Sequence, residues 1–166
     1  MHRAYVSLGS NVEPARHLRA ALQTLAKRFG PLALSPVYES PAFGFKGANF
    51  LNLVVSFDTD EPAGAVSEAL KAIEAGQGRV RTGPRYADRT LDLDLILFGD
   101  AVLSEEPLRL PRPEILEHAH VLCPLADLAG DALHPLLRRR YRDLWGEFDG
   151  RKQPLWPVPF DPETAA

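Results

Sequence analysis

The chain has 166 residues, of which 45% are hydrophobic and 25% are charged. This length predicts about one domain, and the composition is that of an ordinary globular protein rather than a disordered, collagen-like or disulfide-rich chain. The formal net charge of -3 argues against a general nucleic-acid binder, because such domains are normally basic. We therefore expect one folded domain with a conventional hydrophobic core.

Two further features predict where the protein works and what it binds. The sequence has no run of roughly 18 apolar residues, so we expect no membrane-spanning helix. The one cysteine, Cys123, cannot form an internal disulfide, and its apolar neighbours predict a small buried side chain in a reducing compartment. We expect a soluble cytoplasmic protein that binds neither membrane nor nucleic acid and is a monomer by default.

The first part of the chain alternates strand and helix patterns. Residues 5–8 predict a short strand, and the Gly-Ser-Asn turn at 9–11 is able to cap the helix behind it. Apolar residues at helical spacing predict that helix, and Gly30-Pro31 ends it. Residues 32–38 predict a second strand, and the following loop at 40–47 combines turn formers with aromatic residues, a composition suited to lie over a ligand.

Two later strands alternate strictly, so each has two distinct faces. Residues 50–57 place Leu51, Leu53, Val55 and Phe57 on one face, and a helix opening at Asp60-Glu61-Pro62 follows them. Residues 90–98 place leucines on one face, at positions 91, 93, 95 and 97. We expect these apolar faces to meet the helices. The opposite face then stays open for loops and a ligand; it carries Asn52, Asp92 and Asp94.

The order strand, helix, strand, strand, helix, strand predicts an α+β fold with a ferredoxin-like βαββαβ core, in which an antiparallel sheet has its helices on one face. The short elements after Gly99 are expected to form a C-terminal elaboration that covers the open face. We expect residues 1–145 to form the single domain. Residues 146–166, rich in proline and aromatics, predict a tail that packs in part and frays at 163–166.

The most informative motif is Asp-Leu-Asp within the last strand. Asp92 and Asp94 project from the same face with Cβ atoms roughly 7 Å apart. Two such carboxylates repel one another unless a cation or an arginine relieves them. They are also the few protein ligands that Mg²⁺ usually takes, with water and nucleotide phosphates completing its shell. The alternative interpretation is a solvated strand face.

A loop that concentrates positive charge precedes this motif. Because guanidinium groups bind phosphate in a bidentate manner, arginines beside an Asp-x-Asp pair predict a site for a polyphosphate with its metal. The alternative for the arginines alone is a flexible solvated loop. The four residues are Arg79, Arg81, Arg85 and Arg89.

Other common nucleotide and hydrolase motifs are missing from the sequence. Neither a Walker A motif nor a G-x-G-x-x-G fingerprint follows any strand, and no nucleophile elbow is present. The remaining chemistry is phosphoryl-type transfer by positioning and electrostatics, without a covalent intermediate.

Several segments together carry a family resemblance. They are residues 5–11, 38–44, 50–52, 73–74 with 77–81, and 89–99, and the last reads Arg-Thr-Leu-Asp-Leu-Asp-Leu-Ile-Leu-Phe-Gly. In this order they resemble the 6-hydroxymethyl-7,8-dihydropterin pyrophosphokinase family of the folate pathway, over about residues 4–130. The last segment is highly specific for that family.

The resemblance implies transfer of the βγ-pyrophosphate of ATP to the hydroxymethyl oxygen of the pterin, with release of AMP and participation of two Mg²⁺ ions. It implies that the metal ligands are Asp92 and Asp94, which act in catalysis with Arg79 and Arg89. The ATP-binding residues would be Glu74, Arg79, Arg81, Arg85, Arg89, Arg112 and His118. The pterin-binding residues would be Ser40, Pro41, Phe43, Phe50, Asn52 and His120.

Three positions depart from the family pattern. Arg112 stands where the family usually has a histidine, His118 where it usually has an arginine, and His120 where it has an aromatic residue that stacks on the pterin. An active enzyme is the leading interpretation. The alternatives are a diverged paralogue acting on another pterin-like acceptor and a non-catalytic module that binds a small molecule. His118 and His120 also suggest a metal pair, although no third ligand is in view.

Overall fold

The computed structural model describes residues 1–42, 44–78, 88–104 and 108–163. These residues form one antiparallel six-stranded sheet with order β5-β1-β4-β3-β6, in which β2 also pairs with β4. The strands are β1 (His2–Ser10), β2 (Ala33–Leu34), β3 (Val37–Ser40), β4 (Phe50–Thr59), β5 (Asp92–Phe98) and β6 (Trp156–Val158). The helices are α1 (Pro14–Phe29), α2 (Ala63–Gly76), α3 (Glu114–Glu117), α4 (Ala119–Ala129) and α5 (Tyr141–Glu147).

This topology confirms the predicted ferredoxin-like core. The strands β5, β1, β4 and β3 are its four sheet strands, and α1 and α2 are the two crossover helices. The first helix ends as predicted at Gly30, whose φ of 89° lies in the left-handed region and whose N–H donates to the carbonyl of Ala26. None of the helices in the described ranges is both long enough and apolar enough to cross a membrane.

The first hydrophobic core lies between the sheet and the helices α1 and α2. Alternate residues of the central strands point into it, including Leu8 of β1 and Leu53 of β4. They pack against Leu25 of α1 and Leu70 of α2, and all four side chains are at most 1% exposed. The apolar face predicted for residues 50–57 is therefore the face that meets the helices.

A second core covers part of the opposite face, as expected for the C-terminal elaboration. Val54 of β4 and Ile96 of β5 belong to one buried cluster with Leu122 and Leu125 of α4 and Tyr141 of α5. Cys123 is buried in the same helix, as its apolar neighbours predict. The chain after Gly99 thus closes most of this face and leaves its other end for a site.

The leucine face predicted for β5 is only partly correct. The pairing of β1 with β5 shifts by one residue, because Tyr5 is opposite Leu97 while Val6 is opposite Leu95. This β-bulge at Ile96 reverses the alternation, so Leu97 packs in the second core and Phe98 in the first. Strict alternation holds only up to Ile96.

Two other local predictions need correction. The strand predicted at 32–38 is divided into β2 and β3, because Pro36 has no N–H for the ladder. The hydroxyl of Ser35 instead accepts the N–H of Val54 at 2.9 Å. Asn11 does not cap α1, which begins at Pro14 after Glu13. The side chain of Asn11 bonds to two other loops, described below.

The C-terminal segment contributes to the sheet. β6 pairs with β3 at the edge, and Phe160 packs against the first core beneath the guanidinium of Arg19. The expected fraying falls mainly on residues 164–166, which lie outside the described residues. The division of the chain after residue 145 stays a prediction.

Candidate active site

We call the sheet face opposite α1 and α2 the second face; α4 and α5 cover one end of it. A cavity of about 330 Å³ lies at the other end, and we call it the main cavity. It forms where β1 and β3 end and where β4 and β5 begin, with the α3–α4 junction opposite. This location follows from the antiparallel register, which brings those strand ends to the same edge. The residues around it come from distant parts of the sequence.

The two aspartates of β5 face this cavity together. Asp92 pairs with Gly9 of β1 and Asp94 pairs with Ser7, so both carboxylates stand over the small residues of the neighbouring strand. Arg89 lies beside them, with its Nη1 4.0 Å from Oδ1 of Asp92. The side chain of Arg89 is only 16% exposed, so its positive charge is confined to this end of the cavity.

Glu74 supports the aspartate pair without lining the cavity. It is buried on α2, and its Oε2 accepts the backbone N–H of Leu93 at 2.7 Å. Leu93 is the residue between the two aspartates, and β5 is an edge strand. The carboxylate therefore accepts from an edge N–H that no strand among the described residues pairs with, and it fixes the segment that carries the aspartates.

Asn11 connects the two loops beside the cavity. Its Nδ2 donates to the carbonyl of Ala48 at 3.1 Å and to Oδ1 of Asp88 at 2.8 Å. Its Oδ1 accepts the N–H of Arg89 at 2.7 Å, and its own N–H donates to the carbonyl of Arg89 at 3.0 Å. These four bonds fix the backbone from which the Arg89 side chain extends.

The opposite side of the cavity is suited to a flat heterocycle with hydrogen-bonding edges. Asn52 is buried, and its Nδ2 donates to Oγ of Ser40 at 2.9 Å and to the carbonyl of Tyr38 at 3.4 Å. A carbonyl partner fixes the amide orientation, because only the nitrogen of the amide donates. Gly9 leaves room for the amide, since a Cβ there would lie 3.3 Å from Oδ1 of Asn52.

Two aromatic rings flank this polar pair. Phe50, the first residue of β4, contacts Phe45 edge to face with ring centroids 6.4 Å apart. Both rings line the cavity. An aromatic surface beside a buried amide is the usual composition of a pocket for a heterocyclic ligand.

The α3–α4 side of the cavity contains the three positions that depart from the family pattern. Arg112 makes a two-armed ion pair with Glu114, with distances of 3.1 and 3.2 Å, so its guanidinium is held at the cavity wall. The rings of His118 and His120 are stacked with centroids 5.1 Å apart. Burial, assisted by the charge of His118, lowers the pKa of His120 to about 4. His120 is therefore neutral at physiological pH.

The donor set suits Mg²⁺ better than a transition metal. In the described ranges, no three His, Cys, Asp or Glu residues cluster to enclose a metal ion, which gives His118 and His120 no third ligand there. Asp92 and Asp94 offer hard oxygen atoms on one face, and Mg²⁺ commonly takes one or two carboxylates together with substrate phosphates. The residues fit a metal that arrives with a nucleotide.

Comparison with known proteins decides the family. The family model described as 7,8-dihydro-6-hydroxymethylpterin-pyrophosphokinase (HPPK) matches residues 5–130. The chain belongs to this family. It is 41% identical over 139 residues to the 2-amino-4-hydroxy-6-hydroxymethyldihydropteridine pyrophosphokinase of Pseudomonas aeruginosa, covering 81% of this chain and 85% of the relative. It is 38% identical to the protein of the same name from Methylorubrum extorquens, covering 79% and 85%.

Solved structures share the fold of this HPPK family member. The crystal structure of wild-type Plasmodium falciparum HPPK-DHPS with pteroate aligns with a TM-score of 0.67 at 14% identity. The alignment covers 88% of this chain and 44% of that chain, so this chain spans less than half of the solved protein. At this identity the likeness establishes the fold.

The main cavity gathers most of the residues that the HPPK resemblance implies. The residues brought together are Ser40, Pro41, Phe50, Asn52, Arg89, Asp92, Asp94, Arg112, His118 and His120. Glu74 is not among the lining residues and lies behind β5. Four expected residues lie outside the described part of the chain: Phe43, Arg79, Arg81 and Arg85.

Several lining residues were not predicted from the sequence. They are Ser7, Leu8, Gly9, Phe45, Ile96, Glu114 and Val121. Ser7 and Gly9 had a usable signal, because they alternate with buried residues of β1 as the aspartates do on β5. Phe45 lies in the loop expected to cover a ligand. Glu114 also had a local signal, since its ion-pair partner Arg112 is only two residues away.

Proposed function

We propose that this protein transfers pyrophosphate from ATP to the hydroxymethyl group of 6-hydroxymethyl-7,8-dihydropterin and releases AMP, as a step of folate biosynthesis. One observation carries the proposal: a single cavity combines two carboxylates and an arginine with a buried amide and two aromatic rings. The first group suits a metal-bound polyphosphate and the second suits a pterin. Membership of the HPPK family supports this assignment.

We assign the pterin to the side of Asn52 and Ser40. The two hydrogen bonds of Asn52 use its nitrogen, and in the described part of the chain no donor reaches its Oδ1. This oxygen is therefore available to accept an N–H from the edge of the heterocycle. Phe50 and Phe45 offer aromatic surface, and the neutral ring of His120 is able both to stack and to hydrogen-bond.

We assign the triphosphate to the side of Asp92 and Asp94, which would hold two Mg²⁺ ions. When bound, these ions neutralise triphosphate charge and polarise the phosphoryl group for attack. Arg89 and Arg112 lie where they would contact phosphate oxygens, and their own partners already hold both in place. Arg79, Arg81 and Arg85 complete the proposed ATP-binding set, with Glu74 supporting the aspartates. His118 stacks on His120, so we assign it to the pterin side rather than to ATP, where the resemblance puts it.

The reaction needs no covalent enzyme intermediate. The hydroxymethyl oxygen attacks the β-phosphorus and loses its proton to water, and the bond from this phosphorus to the oxygen shared with the α-phosphate breaks. AMP leaves with the negative charge, and the guanidinium groups of arginine stabilise that developing charge. The protein contributes by holding the two substrates in line and by excluding competing water.

The test is AMP release from ATP and Mg²⁺ by purified protein, with and without 6-hydroxymethyl-7,8-dihydropterin. We expect AMP formation that depends on the pterin and is lost in Asp92→Ala. AMP release in the absence of any pterin would instead indicate an ATP hydrolase and would contradict the proposal.

The same assay separates two alternatives. Binding of Mg²⁺-ATP without AMP formation, while a related hydroxymethyl heterocycle restores turnover, would assign a different pterin-like acceptor; His120 in the pocket is the observation that favours this alternative. Binding of the pterin without any turnover, under every acceptor tried, would instead indicate a small-molecule-binding module.

A further inference from the structure

A C-terminal strap, residues 152–158, lies against two walls of the main cavity. Its first four residues border a small cavity of about 80 Å³, whose other side includes Ser40, Pro41, His118 and His120. Ser40, Pro41, His118 and His120 also line the main cavity. The strap is therefore the part of the chain that lies directly behind both the β3 wall and the α3–α4 wall.

Gln153 makes the central contact of the strap. Its Oε1 accepts the backbone N–H of Ala119 at 2.8 Å, and its Nε2 donates to the backbone carbonyl of Glu117 at 3.0 Å. Glu117 is the last residue of α3 and Ala119 is the first of α4. One amide side chain thus bonds to the backbone on both sides of His118.

These two hydrogen bonds take the place of a side-chain cap at the start of α4. The first N–H groups of a helix have no intrahelical partner, and the N-cap residue of α4, His118, makes no side-chain cap. Gln153 supplies this cap from 34 positions away in the sequence. The orientation of the first turn of α4, which carries His120 into the cavity, consequently depends on a contact outside the helix.

The strap is anchored at its other end, so Gln153 is presented by ordered backbone. β6 pairs with β3 through Val37 opposite Val158 and Glu39 opposite Trp156. Beyond the strap, the carbonyl of Asp161 accepts Nε of Arg19 at 2.7 Å. Because β6 is in the sheet, the bonds made by Gln153 tie the α3–α4 junction to the β3 wall of the pocket.

We propose that Gln153 is a positioning residue for the acceptor pocket, which sets the placement of His118 and His120 relative to the β3 wall through its two backbone hydrogen bonds. The inference rests on the proposed function for the identity of the acceptor. It assigns to the strap a role in acceptor binding rather than in ATP binding, because Asp92, Asp94 and Arg89 are not among the described residues that border the small cavity.

The experiment compares Gln153→Met with Gln23→Met, the same change at an exposed glutamine of α1. Methionine keeps the length of the side chain and removes both hydrogen bonds. In Gln153→Met we expect amide exchange at Ala119 to be about tenfold faster and the KM for the pterin to rise about tenfold, with the KM for ATP within about twofold of wild type. The control should match wild type in all three measurements.

A conservative variant removes one of the two hydrogen bonds of Gln153 and keeps the other. Gln153→Glu keeps an acceptor for the N–H of Ala119 and loses the donor to the carbonyl of Glu117. We expect exchange at Ala119 to return to near the wild-type rate and the pterin KM to fall between those of wild type and Gln153→Met. Such partial rescue is not expected of a residue that acts only on global stability.

The possible negative results contradict the positioning role, the proposed function or both. An unchanged Ala119 exchange rate in Gln153→Met, or faster exchange with an unchanged pterin KM, overturns the positioning role while leaving the proposed function intact. If wild type releases no AMP but binds the pterin, the proposed function fails, and the pterin Kd of Gln153→Met then decides the positioning role. Wild type that neither reacts with nor binds the pterin overturns both.

Discussion

The two faces of the sheet differ in what their residues do. The face under α1 and α2 carries aliphatic and aromatic side chains along the whole length of β1, β4 and β5. The other face carries a small core at one end, under α4 and α5, and the polar main cavity at the other. The first face is occupied mainly by core side chains, whereas the second divides its length between a core and the site.

Strand β5 shows this division within seven residues. Leu93 and Leu95 pack under the crossover helices, while Asp92 and Asp94 face the cavity from the same segment. The bulge at Ile96 then turns the strand so that its last part joins both cores. A strand with one fully buried face holds its polar side chains in a fixed direction, which is the arrangement that a preorganised charged site needs.

The largest expected effect comes from removing one charge on the cavity face. Asp94→Asn keeps the shape of the side chain, and we expect Mg²⁺-dependent turnover to fall at least about a thousandfold, or about 4 kcal/mol of barrier. The Tm should stay within about 2 °C of wild type, because Asp94 is exposed and belongs to neither hydrophobic core. Turnover assays and thermal unfolding measure the two quantities.

The matched control for this change is Asp100→Asn, an exposed aspartate just beyond the other end of β5. It should retain wild-type turnover, since it lies far from the residues that line the main cavity. A rate for Asp94→Asn near that of the control would contradict the assignment of Asp94 to the metal site.

A pair of core variants tests whether stability and function separate between the faces. Leu25 of the first core and Leu125 of the second are both fully buried, so Leu→Ala at either position should lower the free energy of unfolding by about 2 to 5 kcal/mol. Only Leu125→Ala should also raise the KM for the pterin, because α4 presents His120 to the cavity. Urea unfolding and steady-state kinetics on the folded fraction measure these effects.

Equal KM values in the two core variants would show that the second core is as remote from the site as the first. A raised KM in Leu25→Ala, in contrast, would mean that the first face also controls the pocket and that the proposed division between the faces is wrong.

The features that could be predicted from sequence are those marked by a short repeat of apolar residues. Alternation on β4 and β5 predicted the first core and placed Asp92 and Asp94 on one face, because a two-residue period needs no knowledge of distant residues. The division of one strand into β2 and β3 was not predicted, although its cause, Pro36, is also local. These features follow from neighbouring residues alone.

The parts that could not be predicted depend on contacts between distant segments. The bulge at Ile96 is a property of the pairing with β1 and leaves no pattern in β5 itself. Asn11 resembles a helix cap by position, yet it bonds to loops 37 and 77 residues away. Gln153 reaches back 34 residues to Ala119. Tertiary contacts of this kind outcompete the local role that the sequence position favours.

The smallest expected effect is a pH dependence of the free energy of unfolding. It comes from His120, at the site end of the second face. The pKa of His120 is lowered from 6.5 to about 4, chiefly by burial, so the unfolded chain binds a proton there more readily than the folded protein does. The stability from keeping this ring neutral is fully present above about pH 6.5 and is lost as the pH falls toward 4. One pKa unit corresponds to about 1.4 kcal/mol, and because the ring borders a cavity that admits water, we expect a loss of about 1 to 2 kcal/mol.

The difference between wild type and His120→Phe isolates this contribution. Burial also lowers the pKa of His134, which lies away from the cavity, and that residue affects both proteins equally. Urea unfolding at pH 7.5 and pH 4.5 should therefore show a smaller loss of stability on acidification for His120→Phe than for wild type. Equal losses of stability in the two proteins would mean that the His120 ring takes up a proton without cost and is hydrated in the folded protein. A neutral stacking ring would then no longer distinguish the site end of this face from its core end.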